Sequence, residues 1–243
     1  MHRKDTESFR QYLYRLWHSQ IGKTTDGKLA FTKDDVVRNC PFEKNKYREQ
    51  LAAIETLGLG LVKRDTGPRP YLVIPDRQEI EEIHTERQHV ESEVCFRVAH
   101  FSSLAYANRR AVEDTLNPVH SQMVQIKEQL SAHSDETMRL NLAETLWELD
   151  GEFHELLSQL AGWPWFGAAM RIHRDRLRFV STPQRQIIER LPTIIKEHQA
   201  IIDAVTERRF DKDAVAHAVD QHLLSSVNFL EDEIKRRNEL KTA

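Results

Sequence analysis

The chain has 243 residues, 35 Lys+Arg against 38 Asp+Glu for a net charge of −3, and 40% hydrophobic residues. That balance suits a helix-rich globular protein of one large or two modest domains, and excludes a disordered chain. No apolar run approaches the ~20 residues of a membrane span, and the first residues lack the apolar core of a secretory signal. The cytoplasm is therefore the expected location. The two cysteines, Cys40 and Cys95, have no metal-ligand or disulfide-framework spacing, which fits a reducing compartment.

Charge is unevenly spread. Residues 1–75 carry 14 Lys+Arg against 9 Asp+Glu, a net of +5, and the remainder carries 21 against 29, a net of −8. A basic first third on an acidic remainder fits one module that meets a polyanion and another that does not.

The apolar spacing predicts a first helix over 5–21, with Phe9, Leu13, Leu16, Trp17 and Ile21 inward. A short strand is expected over 28–31. Thr32 is a good N-cap for a short helix over 33–38, ended by Asn39-Cys40-Pro41. A third helix is expected over 43–57, with Tyr47, Leu51, Ile54 and Leu57 inward and Gly58 as its stop. Two β-like pieces follow, 59–63 and 70–74, joined by a turn over 64–69. This order is that of a winged helix-turn-helix. Its second helix would enter the major groove of double-stranded DNA. The candidate DNA contacts are Thr32, Lys33, Lys44, Asn45, Lys46 and Arg48, with Lys63, Arg64 and Arg69 on the wing. The plainer reading of any single one is a solvated charge.

Pro75 marks a boundary, giving domains of 1–75 and 76–243. Helical patterns then cover 77–105, 109–132, 135–160, 165–179, 184–208 (with Pro192 as a break point) and 212–240. The expected fold is mainly α: the winged module followed by an antiparallel six- to seven-helix bundle.

Within the bundle, Asp150 and His154 lie four residues apart in a segment whose apolar residues follow helical spacing. They therefore share a helix face. His198 sits in Ile194-Ile-Lys-Glu-His-Gln-Ala-Ile-Ile202, and His222 in Ala218-Val-Asp-Gln-His-Leu-Leu224, each amid apolar residues at helical spacing. Charged groups on an inward face need partners. Three imidazoles and a carboxylate suit a divalent transition metal with open positions, zinc first, with nickel, manganese or iron as alternatives. The competing reading is that inward histidines are hydrogen-bonded core.

Read together, these pieces resemble the GntR superfamily of transcription regulators, in its FadR-like branch with an FCD ligand-binding domain. The matching stretches are Asp150-x-x-Phe153-His154-x-x-Leu157 before Ala161-Gly162, Glu197-His198-x-x-Ile201-x-x-Ala204-Val205, and Ala214…Ala218…His222-Leu223. Arg87-x-x-Val90-Glu91 is similar to the family's Arg-x-x-Leu-Glu. The resemblance implies a metal held by Asp150, His154, His198 and His222, and a small carboxylate effector. By family position Arg87 would clamp that effector. Arg171, Arg174 and Arg178, at i, i+3 and i+7, would line the pocket or form a solvated stripe. Arg87→Ala is then expected to weaken effector binding without removing the metal. The resemblance further implies a homodimeric repressor that binds a DNA operator. The alternative is a metal-dependent enzyme acting on a small organic acid. The recognition stretch departs from the family pattern: Arg48, Glu49 and Leu51 are kept, while the Ser-Arg and Pro are replaced.

Overall fold

The computed structural model describes residues 13–14, 16–17, 28–31, 49, 51–52, 62–64, 70–132, 135–180 and 189–242. The chain divides into two compact units, Met1–Asp76 with Ile172–Val180, and Arg77–Arg171 with Ser181–Ala243. The first unit thus includes a segment beyond the 1–75 expected from the sequence.

In the first unit, β1 (Lys28–Ala30), β2 (Val62–Arg64) and β3 (Pro70–Val73) form an antiparallel sheet in the order β1-β3-β2. The β2–β3 register sets Val62 opposite Leu72 and Arg64 opposite Pro70. Val62 and Leu72 are buried, while Lys63 between Val62 and Arg64 is exposed, which is the alternation of a sheet with one wet face. Leu13, Tyr14 and Trp17 are helical and buried, and they join Phe31, Leu51, Val62, Leu72 and Phe179 in one small core. Tyr14 meets Phe179 edge to face at 5.7 Å. The short helix expected over 33–38, and most of those expected over 5–21 and 43–57, lie outside the described residues.

The second unit is built on six helices among the described residues: α1 (Arg77–Leu104), α2 (Tyr106–Ala132), α3 (Glu136–Leu160), α4 (Pro164–Leu177), α5 (Leu191–Thr206) and α6 (Lys212–Thr242). The C-terminal residues of α4 belong to the first unit. Pro192 stands at the start of α5, where a missing N–H costs nothing, so it opens a helix where the sequence suggested a break within one. Asp135 caps α3 by accepting from the Met138 N–H at 2.9 Å. Asp211 does the same for α6, accepting from Asp213 and Ala214. α1 packs on α2, α5 and α6, and α2 packs on α3 and α5. Their shared core includes Val98, Val112, Leu116, Met123, Phe153, Val205 and Val215, each fully buried. None of the described helices is long and apolar enough to cross a membrane.

α3 ends in a pair of backbone bonds, Gly162 N–H to Gln159 O at 2.9 Å and Trp163 N–H to Ser158 O at 2.8 Å. This Schellman arrangement needs a left-handed residue, and Gly162 has φ of 76°. A Cβ there would touch nothing within 4 Å, so only backbone strain opposes a side chain. Gly162→Ala is expected to destabilise the chain by about 1–2 kcal/mol, read as a lower urea midpoint with an unchanged slope.

The stripe that α1 buries runs Ile80, Ile83, Arg87, Glu91, Val94, Cys95, Val98, Ala99 and Ser102. The spacing is that of one helix face, yet two of its members are charged. The bundle centre explains them.

Candidate metal centre

Four side chains from three helices converge in the bundle. α3 supplies Asp150 and His154, α5 supplies His198 and α6 supplies His222. One possible ligand atom from each lies within 4.8 Å of all the others. Opposite ligands of a metal bound at about 2.1 Å stand about 4.2 Å apart, so the cluster has nearly the span a single ion needs. His154, His198 and His222 are 4%, 0% and 3% exposed. The Asp150 carboxylate, at the intermediate level of exposure, is the most accessible of the four.

Two Arg–Glu pairs hold two of the imidazoles. Glu91 Oε1 accepts from Arg87 Nε at 2.7 Å, and its Oε2 faces His154 Nδ1 at 2.9 Å. Glu197 Oε2 faces His222 Nδ1 at 3.0 Å and accepts from Arg190 Nη2 at 2.7 Å, while its Oε1 accepts from Arg190 Nη1 at 3.1 Å. Arg190 also donates to Ser225 Oγ at 2.9 Å and to the His222 carbonyl at 3.3 Å. Burial works against ionising both glutamates, but the neighbouring guanidinium and imidazole outweigh it. Glu91 is held well below the usual carboxylate range, and Glu197 at about 2.

An ionised carboxylate only accepts, so each of these Nδ1 atoms must carry the proton. In a neutral ring the lone pair then lies on Nε2. Yet His154 Nε2 and His222 Nε2 face each other at 3.2 Å. Two lone pairs at that distance repel unless a proton or a cation lies between them. A proton would make one ring a buried cation. Burial disfavours that for His222, lowering its pKa despite the hydrogen bond to Glu197 that favours the charged ring. A metal ion resolves the conflict with both rings neutral.

His198 is held differently. Its ring stacks on Phe153 at 4.0 Å and 9°. Neither of its nitrogens has a hydrogen bond, although Nε2 approaches Asp150 Oδ1 to 3.4 Å, which is long for a bond of this kind. Burial, only partly offset by Asp150, pushes its pKa down to about 3. It is therefore a neutral, buried donor aimed at the cluster, and orphaned buried polar atoms of this kind are costly without a partner. Three imidazoles and one carboxylate fit a divalent transition metal. Other histidines have plainer roles: His120 bonds the Ile195 carbonyl at 2.9 Å, and His100 meets Phe210 edge-on.

Arg87 is buried beside the cluster through Glu91. Arg171 pairs with Glu155. α4 ends at Leu177, and Arg174 and Arg178 belong to the first unit, 3% and 5% exposed, with Arg178 lying 4.4 Å over the Tyr14 ring. Arg174 and Arg178 are thus buried rather than part of a solvated stripe, and the Arg178 N–H continues the turn by bonding the Arg174 carbonyl at 3.0 Å. Of the candidate DNA contacts, Lys63 is exposed on β2 and Arg64 ends that strand. Thr32, Lys33, Lys44, Asn45, Lys46, Arg48 and Arg69 lie outside the described residues.

The family model described as the FCD domain matches residues 82–225. The chain belongs to the FCD domain family. The match runs from within α1 to the first half of α6 and takes in all four converging residues, and it agrees with the resemblance seen in the sequence. Among solved structures, McbR/YncC of E. coli is similar at a TM-score of 0.61 and 12% identity, over 93% of this chain and 99% of that one. A GntR protein of Streptococcus agalactiae matches at 0.43 and 15% identity, over 92% and 99%. The likeness to McbR/YncC bears on fold alone. Curated proteins give no match.

Reading the sequence alone missed the role of Glu91, Glu197 and Arg190. A signal was present. Arg87 and Glu91 are charges on an otherwise apolar stripe, Glu197 directly precedes His198, and Arg190 lies two turns before Glu197.

Proposed function

We propose that this chain is a ligand-responsive transcription regulator whose FCD domain holds a divalent metal on Asp150, His154, His198 and His222. The metal and a small carboxylate effector then modulate binding of the N-terminal module to a DNA operator. The observation that carries the metal reading is the pair of Nε2 atoms facing each other at 3.2 Å while both Nδ1 atoms face carboxylates. When bound, the metal supplies a Lewis-acid grip on a carboxylate oxygen. The protein supplies the rest. The two Arg–Glu pairs cancel their own charges, so a divalent ion against the Asp150 carboxylate leaves one positive charge, matching an anionic effector. Arg87 spends Nε on Glu91, which leaves its two terminal nitrogens, the fork that meets a carboxylate bidentately. An effector alters DNA affinity only as far as it binds two arrangements of the protein unequally. Pairing of two chains on a pseudo-palindromic operator completes the reading.

Elemental analysis of the purified protein tests this first, with about one transition-metal ion per chain expected. Small carboxylates should then raise the melting temperature and change operator affinity of the metal-loaded protein, and do neither after chelation. Absence of metal even after reloading with zinc, nickel, manganese or iron would sink the reading.

A further inference from the structure

We infer that the Arg190–Glu197 and Arg87–Glu91 pairs are positioning residues of the metal centre, each fixing the tautomer of one ligating histidine. The inference rests on the metal reading above and adds to it the groups that set its affinity.

The two pairs have the same logic on different helices. Glu91 on α1 orients His154 on α3, and Glu197 on α5 orients His222 on α6. Each glutamate is buried or nearly so, and each is itself fixed by a guanidinium at 2.7 Å. Long arginines buried to this degree lose rotamer freedom and solvation. A merely structural ion pair would not need to place its second carboxylate oxygen on an imidazole Nδ1, yet both pairs do. The result is that both Nε2 lone pairs are committed to the cluster before any ion arrives. Outer partners of this kind typically contribute a factor of 10–100 in metal affinity.

Glutamine in place of Glu197 separates the alternatives. The carboxylate accepts from three donors: Arg190 Nη1, Arg190 Nη2 and His222 Nδ1. An amide of the same shape has one acceptor oxygen, and its NH2 must face a donor. If that NH2 faces His222, the proton moves to Nε2 and the ring no longer ligates. If it faces Arg190, the guanidinium loses its counterion.

The test uses the full-length protein and Co(II), followed by its visible absorption. Glu197→Gln is expected to weaken Co(II) binding about 10–100-fold and to change the shape of the cobalt spectrum. The melting temperature under chelator should reveal any purely structural loss. Should Glu197→Gln not fold, the Arg190→Gln/Glu197→Gln protein replaces the buried pair with two neutral amides and gives the same readout. Co(II) affinity within about twofold of wild type in a folded variant, with the same spectrum, would overturn the inference. A wild-type chain that binds no Co(II) would bring down the metal reading itself, and this inference with it. That failure is distinct, because it appears before any variant is made.

Discussion

Chelation of the metal-loaded protein is expected to lower its melting temperature by about 8–16 °C. A ligand present at about 1,000 times its dissociation constant stabilises the native state by about 4 kcal/mol, provided it does not bind the unfolded chain. For a domain of about 150–250 residues each kcal/mol shifts the midpoint by about 2–4 °C. The effect should be large here because the ion ties side chains from three different helices at the buried centre of the bundle. Without it, His198 keeps two buried nitrogens that lack hydrogen bonds, and the two Nε2 atoms 3.2 Å apart must separate or trap a proton. The Asp150→Ala/His198→Ala protein is expected to hold no metal and to melt at one temperature with or without chelator. Equal melting of wild type in both conditions would mean that the cluster is plain hydrogen-bonded core.

How far the sequence discloses this centre depends on distance along the chain. Asp150 and His154 are one helical turn apart, so their common face follows from periodicity alone. The helix boundaries came out close for the same reason: 135–160 expected against Glu136–Leu160 observed, and 212–240 against Lys212–Thr242. What joins His154 to His222 across 68 positions is tertiary packing. No local rule gives that pairing; the resemblance to a family did. Arg171, Arg174 and Arg178 show the opposite limit. Their i, i+3, i+7 spacing is real, but periodicity does not say where a helix ends or which unit buries each turn. Glu197 lay within the quoted motif and still had no role, because a carboxylate beside a ligand histidine on the same helix points elsewhere. Its partner is on α6, and only the packing of α5 on α6 reveals it.

Arg87→Ala is expected to cost about 3–5 kcal/mol, because it strands the Glu91 carboxylate in the core. The side chains of Arg87 and Glu91 are 6% and 8% exposed, so water cannot take over the lost hydrogen bonds. The structure also changes the functional expectation. From sequence alone, this substitution should spare the metal and weaken the effector. With Arg87 Nε on Glu91, and Glu91 on His154 Nδ1, the metal should weaken too, because Glu91 loses the group that aims it. Urea denaturation under chelator isolates the stability term, and Co(II) titration reads the metal. The Arg87→Met/Glu91→Gln protein separates packing from charge. A neutral replacement of a buried ion pair of similar volume restores most of the stability, whereas effector affinity should stay low, since methionine offers no fork to a carboxylate. If Arg87→Ala instead unfolds within about 1 kcal/mol of wild type, Glu91 must be taking up a proton or turning to water. Either change would remove the acceptor that fixes His154, and metal affinity should then fall while stability does not.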